Sequence, residues 1–413
     1  MRQVGALGEN AHEVLRGGER GFCGFVVRAG FGLDRPRGGN QPLNSSMLAG
    51  QQESNIRVQR PRTKSARDAA GPVEQTLQLF PRMRYMGSKF RLLGWIHEAT
   101  ANIEFGSVLD AFSGSSVVSY LFKAAGKRVT SNDSLNFSHT LAQALVANAS
   151  VALSAADAQR LLVPLADGPT FIRDTFSGIF FTDDDLAFLD RVWGHLAAFR
   201  SPHKRAMVIS SLIRACAKRQ PRGVFTVAGD PERYKDARRD LRLSLEEHFL
   251  EGIQIFNAAV FDNGQESRAL RGDVFDIDPA GHDLVYLDPP YVPRSDDNCY
   301  VKRYHFLEGV SCYWKGLEIL EDTRVKKIRK PFTPFAYRKT AVDAFTRMFE
   351  RFEKSVLVLS YSSNGYPDLA ELVRLMKRVK QRVSVLERPH RYHFGTHAAA
   401  KRNAVTEYLI LGQ

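Results

Sequence analysis

The stretch His282-Asp283-Leu284-Val285-Tyr286-Leu287-Asp288-Pro289-Pro290-Tyr291 constrains this chain more than any other. Its run of apolar β-formers reads as a buried strand, and that strand has to end at an acid followed by two prolines, which lack an N–H and fix φ. Open α/β sheets bind ligands at the carboxyl ends of their strands, so Asp288 and Tyr291 are expected at a site. A carboxylate, a backbone carbonyl freed by rigid prolines and an aromatic face together make a receptor for a planar amine. The carboxylate and a proline-side carbonyl accept both hydrogens of an exocyclic amino group while the Tyr291 ring stacks on the base. The nitrogen lone pair is then available to attack an electrophilic methyl group. Taken alone, Asp-Pro-Pro-Tyr also fits an ordinary turn.

Two upstream stretches narrow the reading. In Arg84-Tyr85-Met86-Gly87-Ser88-Lys89, Ser88 is placed to cap a helix through Phe90, Leu92, Leu93, Trp95, Ile96 and Ala99. Its start offers N–H groups, a hydroxyl and the Lys89 ammonium to a carboxylate. Ser107-Val108-Leu109-Asp110-Ala111-Phe112-Ser113-Gly114-Ser115-Ser116 then reads as strand, tight turn and helix, with small residues that let a cofactor approach the backbone. A second strand over residues 128–131 ends in Asn132-Asp133. An acid there is what a doubly wound fold uses to hold ribose hydroxyls. No Gly-Lys-Ser/Thr closes the turn, which disfavours a phosphate-binding loop.

In that order, Tyr85 to Lys89, Asp110 to Gly114, Asn132-Asp133 and Asp288 to Tyr291 resemble the Dam-like, α-class DNA adenine-N6 methyltransferases. The resemblance covers roughly residue 84 to the C-terminus. It implies an α/β, Rossmann-like class I methyltransferase sheet, S-adenosyl-L-methionine as cofactor and an adenine flipped out of double-stranded DNA. Carried over by residue, Tyr85 and Lys89 border the methionine end of the cofactor, and Asp110, Phe112, Ser113, Gly114 and Ser115 line its pocket. Asp133 holds the ribose, Asp273 lies near the cofactor adenine, and Asp288, Pro289, Pro290 and Tyr291 hold the target base. The family usually carries a second glycine where this chain has Ser116.

Composition agrees with a polyanion partner: the 413 residues carry a net charge of +13, and 44% are hydrophobic, enough for a large domain and an accessory one. Cys23, Cys216, Cys299 and Cys312 show no metal spacing, and the His-rich segment 388–402 has no HExxH pattern, so no metal is expected. Reduced thiols suit a cytoplasmic protein, and no apolar run reaches the length of a membrane span. Residues 1–82, rich in Gly, Arg, Gln and Ser, are expected to be disordered or a non-native extension.

The catalytic domain is expected over residues 83–134 and 266–413, with an inserted, mostly helical target-recognition domain over 135–265. Within the insertion, Lys218, Arg219, Gln220 and Arg222 cluster on a turn, where guanidinium and amide groups can read bases or hold phosphate. Lys302, Arg303 and Tyr304 interleave aromatics with cations on a loop that would close over a flipped nucleotide. Lys326, Lys327, Arg329, Lys330 and Arg338, among Phe332, Phe335 and Tyr337, make a candidate phosphate-contacting arm. A solvated charged face is the alternative for each basic cluster. The function expected is site-specific methylation of adenine N6 in DNA, as in restriction–modification with a partner endonuclease. Cytosine-N4 or RNA methylation, or a silent DNA-binding module, are the other readings.

Overall fold

The computed structural model describes residues 71–221, 223–229, 238–293, 300–392 and 403–413, all within one compact unit that begins at Arg62. Helix α1 (Pro72–Gln78) and, after a single turn at Lys89–Leu92, α2 (Leu93–Thr100) precede the sheet. β1 (Ser107–Asp110), α3 (Val117–Ala124) and β2 (Arg128–Asp133) form the first βαβ unit. Helices α4 (Asn136–Leu145), α5 (Ala155–Leu162), α6 (Phe171–Phe176), α7 (Asp183–His195), α8 (Pro202–Arg219), α9 (Arg239–Arg242) and α10 (Leu245–Ala259) then lead to β3 (Arg268–Arg271) and β4 (Leu284–Leu287). β5 (Val292–Pro293), α11 (Tyr300–Cys312), α12 (Arg338–Arg351), β6 (Val356–Ser362), β7 (Gly365–Tyr366), α13 (Leu369–Met376), β8 (Val383–Tyr392) and β9 (Asn403–Gly412) complete the chain.

Seven strands form one sheet in the order β3-β2-β1-β4-β6-β9-β8, parallel except that β9 runs against β6 and β8 against β9. This mixed α/β sheet is consistent with a class I methyltransferase fold. β1 and β4 are buried along their whole length, as parallel strands covered on both faces must be. Alternate residues serve opposite faces: Val108, Leu284 and Tyr286 join one hydrophobic cluster, whereas Leu109, Val285 and Leu287 join the other, with α12 and α13. The chain leaves β1 outward to β2 and β3, then returns to β4 on the other side. That reversal opens a crevice at the carboxyl ends of β1 and β4. At the opposite, amino ends of β1 and β4, Asp283 sets the register, its Oδ2 accepting from Gly106 N, Ser107 N and Ser107 Oγ at 2.8–2.9 Å.

The structure corrects several expectations. Part of the N-terminal expectation, residues 1–70, lies outside the described residues. Residues 71–82 do not follow it: α1 is helical, and Phe80 is buried edge-on to Tyr120 at 5.3 Å. The helices of 135–265 do not form a separate unit. α8 is buried without a break from Ala206 to Ala217, so it needs neighbours on every side, and α4, α10 and α11 cover it in the same cluster that includes Val108 and Val129. Within 135–265, α9 and α10 are separate helices, because extended Ser244 caps the second through Glu247. Residues 300–309 are not a loop but most of α11, which buries Val301, Phe306, Leu307 and Val310.

Candidate functional site

The crevice holds a cavity of about 530 Å³, lined by all four motifs together with Tyr300, Val301 and residues 330–337. Its floor is the turn after β1. Asp110 is buried at the strand's end, where Ser119, in the first turn of α3, donates to Oδ2 at 2.6 Å and accepts from Ser131 at 2.8 Å. Oδ1 of Asp110, Oγ of Ser113 and Oδ1 of Asn132 are buried without a hydrogen-bond partner in the same wall. Burial pushes the Asp110 carboxyl up to about 7, against the Ser119 hydrogen bond that draws it down. Gly114 has φ +51°, and a Cβ there would lie 2.9 Å from Tyr85 Oη. Only glycine fits between this turn and the tyrosine. Ser116 follows with φ +62°, left-handed although it has a side chain.

Asp133 closes the same turn. Its Oδ2 accepts from Gly114 N and its Oδ1 from Leu135 N, both at 2.9 Å. Burial, the larger influence, raises its carboxyl to about 6, against those N–H groups. Asp273 also lines the cavity, its Oδ1 accepting from Phe275 N at 3.0 Å. Phe112 meets Phe335 edge-on at 5.5 Å, and Phe335 stacks on Phe275 at 5.8 Å, giving this end an aromatic wall.

The opposite wall carries the acid of β4. Lys89, almost wholly buried, places Nζ 2.8 Å from both carboxylate oxygens of Asp288. Burial pushes the Asp288 carboxyl up, and the Lys89 ammonium opposes that. Pro289 and Pro290 end the strand, and Tyr291 turns its ring to Tyr361 at 5.0 Å. Tyr85 stacks on Tyr304 at 5.2 Å and on Tyr300 at 5.9 Å, and Tyr304 Oη accepts from Met86 N at 2.6 Å. Gly87 allows this closeness: a Cβ there would lie 2.7 Å from Tyr300 Oη.

Tyr85, Lys89, Asp110, Phe112, Ser113, Gly114, Ser115, Asp133, Asp273, Asp288, Pro290 and Tyr291 thus line one cavity, and Pro289 sits between two of them. The basic residues do not converge in the same way. Lys218 is paired with Asp240 at 2.8 Å and Arg219 with Asp185 at 3.3 Å. Gln220 is buried at the end of α8, so it does not read bases from there, and Arg222 lies outside the described residues. Tyr304 is inside the aromatic stack, not on a nucleotide-facing loop. His305 is buried against Phe225 O at 2.8 Å, its imidazole pushed down to about 4, so it stays neutral. Lys302 is exposed on α11 and Arg303 half-buried. Lys326 pairs with Glu321 and Arg329 with Glu318, on a small hairpin bridged by Ile319 and Ile328; Lys327 is half-buried there. Residues 330–337, including Lys330, run along the cavity mouth, and Arg338 lies over the Tyr366 ring at 4.5 Å. Sequence reasoning gave no cofactor-side role to Tyr300, Phe335 or Ser119; aromatics among cations looked like a nucleic-acid surface, and a serine nine residues from an acid gives no signal.

Comparison with known proteins agrees with this geometry. Residues 85–330 match the family described as D12 class N6 adenine-specific DNA methyltransferase. The chain is 30% identical over 328 residues to the type II methyltransferase M2.HphI of Haemophilus parahaemolyticus, covering 76% of this chain and 92% of that protein. It is 23% identical over 326 residues to M.NlaIII of Neisseria lactamica, covering 72% and 88% respectively. It is also 23% identical over 342 residues to M.FokI of Planomicrobium okeanokoites, covering 76% of this chain and 50% of that one. An acid at the end of a buried strand, a glycine turn beneath it and a match running through both make this chain a member of the D12 class of N6 adenine-specific DNA methyltransferases.

Proposed function

We propose that this enzyme holds S-adenosyl-L-methionine against the turn after β1 and an extrahelical adenine against Asp288 to Tyr291, in the manner of the Dam-like enzymes. The supporting observation is the Lys89–Asp288 ion pair, which places the β4 carboxylate on the wall of the cavity that Asp110 and Asp133 floor. The residues fit the cofactor. Asp110 brings a buried carboxylate oxygen without a partner, suited to an ammonium. Asp133 supplies a carboxylate beside the glycine turn for ribose hydroxyls, and Phe112 and Phe335 supply apolar faces for a purine. When bound, the cofactor supplies an electrophilic methyl group.

The chain's own residues do the rest by position. Asp288 and the Pro289 carbonyl accept the two N6 hydrogens, leaving the lone pair directed into the cavity, and Tyr291 stacks on the base. Asp288 has to be ionised to accept an N6 hydrogen while it still accepts from Lys89, and the Lys89 ammonium favours that form against burial. A carboxylate recessed in a cleft cannot reach N6 inside a duplex, so the base has to leave the stack. Lys302, Arg303, Lys327, Lys330 and Arg338 are the cations proposed to meet the phosphates, with Lys218, Arg219, Lys326 and Arg329 exchanging carboxylate partners for DNA. The type II relatives favour a role in restriction–modification beside a cognate endonuclease.

Labelled methyl transfer to duplex DNA, followed by nucleoside analysis, tests this reading. N6-methyladenine should form, Asp288→Ala should abolish it while cofactor still binds, and Asp133→Ala should weaken cofactor binding. Undiminished turnover in Asp288→Ala would refute the assignment.

A further inference from the structure

Glu308 lies outside the cavity and in none of the motifs, yet it is buried and its carboxylate is saturated with donors. Glu308 Oε1 accepts from Asn136 N at 2.8 Å and Asn136 Nδ2 at 2.7 Å, and Oε2 accepts from Phe137 N at 3.1 Å. Those are the first N–H groups of α4, and Leu135 N, just before them, is taken by Asp133. The start of α4 is therefore held by two acids, one from the cofactor wall and one from α11. Four residues before Glu308 on the same helix, Tyr304 Oη accepts from Met86 N. One helix thus grips both segments that carry cofactor-facing charge: the Tyr85 to Lys89 stretch at one side and the Asp133 loop at the other.

We propose that Tyr304 and Glu308 are positioning residues of α11 that hold Lys89 and Asp133 in mutual register around the cofactor cavity. The inference rests on the cofactor reading above. Neither residue touches the cavity contents; each acts through a backbone it fixes. The charge of Glu308 also reaches Asp133, which it pushes upward. The other charged or titratable groups around this pair are Asp110 on β1, Tyr85 on the facing segment, and Arg271 on β3, which donates to Asn136 Oδ1 and draws Glu308 down. Arg271 also stands opposite Asp133 in the β2–β3 register.

The test is calorimetric binding of S-adenosyl-L-methionine to the full chain between pH 5 and 8, without DNA. Wild-type binding should fade as the pH falls through about 6, where Asp133 takes a proton. Glu308→Gln keeps the shape and one acceptor but removes the charge. It should weaken binding at pH 8 and move the acid limb to lower pH, by about half a unit. A purely structural role would weaken binding by the same factor throughout, and a profile that superimposes on wild type after scaling would overturn the inference. Tyr304→Phe keeps the ring stack and loses one hydrogen bond. It should weaken binding about three- to tenfold, raising KM and leaving kcat at saturation, with the pH midpoint unmoved. Unchanged affinity in Tyr304→Phe would also overturn it. Absence of cofactor binding by wild type at every pH would instead overturn the assignment of the site, and the inference with it.

Discussion

Lys89 and Asp288 lie 199 residues apart in the chain and meet with Nζ 2.8 Å from each carboxylate oxygen. The ammonium is buried, and the acid is the one that ends β4. Lys89→Met keeps the stem and removes the counter-ion. The carboxyl of Asp288, already raised by burial, then climbs further, which favours its protonated form. Turnover at pH 7 should fall on the order of a hundredfold or more and recover partly as the pH is raised. A pH–rate profile checks this: a drop of equal size at every pH would show that Lys89 serves something other than the ionisation of Asp288.

Asp110 makes stability depend on pH in an unusual direction. Its carboxyl is held up to about 7 in the folded chain, above its value when unfolded. Below about 4 it is protonated in both states and burial carries no charge penalty. As the pH rises towards 7, the unfolded chain releases the proton first, so this residue's contribution is lost through the folded value. Asp110→Asn cannot ionise, yet still accepts from Ser119. The stability of Asp110→Asn relative to wild type should therefore rise between pH 4 and 8, by on the order of a few kcal/mol. Thermal melts of both proteins across that range measure it, and parallel curves would sink it.

What the sequence made legible follows the range of the interactions involved. β1 and β4 were readable because a strand buried on both faces shows as an apolar run, and because a glycine turn or paired prolines mark its end locally; β2 was readable from the acid at its end. The cavity lining followed from those strand ends, since the topology brings every one of them to the same edge. α11 was not readable: Lys302-Arg303-Tyr304-His305 mixes charge with aromatics, and helical burial there depends on Phe176, Phe180 and Phe225 packing against Phe306 from elsewhere in the chain. The cations of α8 looked like a nucleic-acid surface because their partners, Asp185 and Asp240, stand tens of residues away. Glu308 gave no signal for the same reason, its donors lying more than 170 residues upstream.

The ordered chain extends upstream of the first motif, and that has a measurable consequence. Phe80 is buried beside Tyr120 and 6.2 Å from Phe90, with Arg82 over the Phe90 ring at 4.4 Å. Removing a buried phenylalanine side chain costs about 3–5 kcal/mol. A chain starting at residue 83 should thus melt several degrees below one starting at residue 71, and Phe80→Ala in the longer chain should reproduce most of the difference. Equal melting temperatures would return residues 71–82 to the category of dispensable extension.

Gly114 and Ser116 occupy left-handed backbone in the same turn, at φ +51° and +62°, and should respond to substitution in opposite directions. At Gly114 a Cβ meets Tyr85 Oη at 2.9 Å and Tyr85 ring carbons at 3.2 and 3.3 Å. The N–H of the same residue holds Asp133. Gly114→Ala therefore has to displace either the tyrosine stack or the Asp133 loop, and cofactor affinity should fall by at least about tenfold, on top of a left-handed penalty of about 1–2 kcal/mol. Ser116 already bears that penalty, and its buried Oγ has no hydrogen-bond partner. Ser116→Gly relieves both, offset by the extra freedom that glycine gives the unfolded chain, about 0.5–1 kcal/mol. A net gain of about 1 kcal/mol is expected, with cofactor affinity unchanged because Ser116 is buried and does not line the cavity. Chemical denaturation and calorimetric titration of the two variants separate these outcomes. A destabilised Ser116→Gly would mean that the serine hydroxyl has a partner in solution, which would then have to be an internal water beneath the cofactor turn.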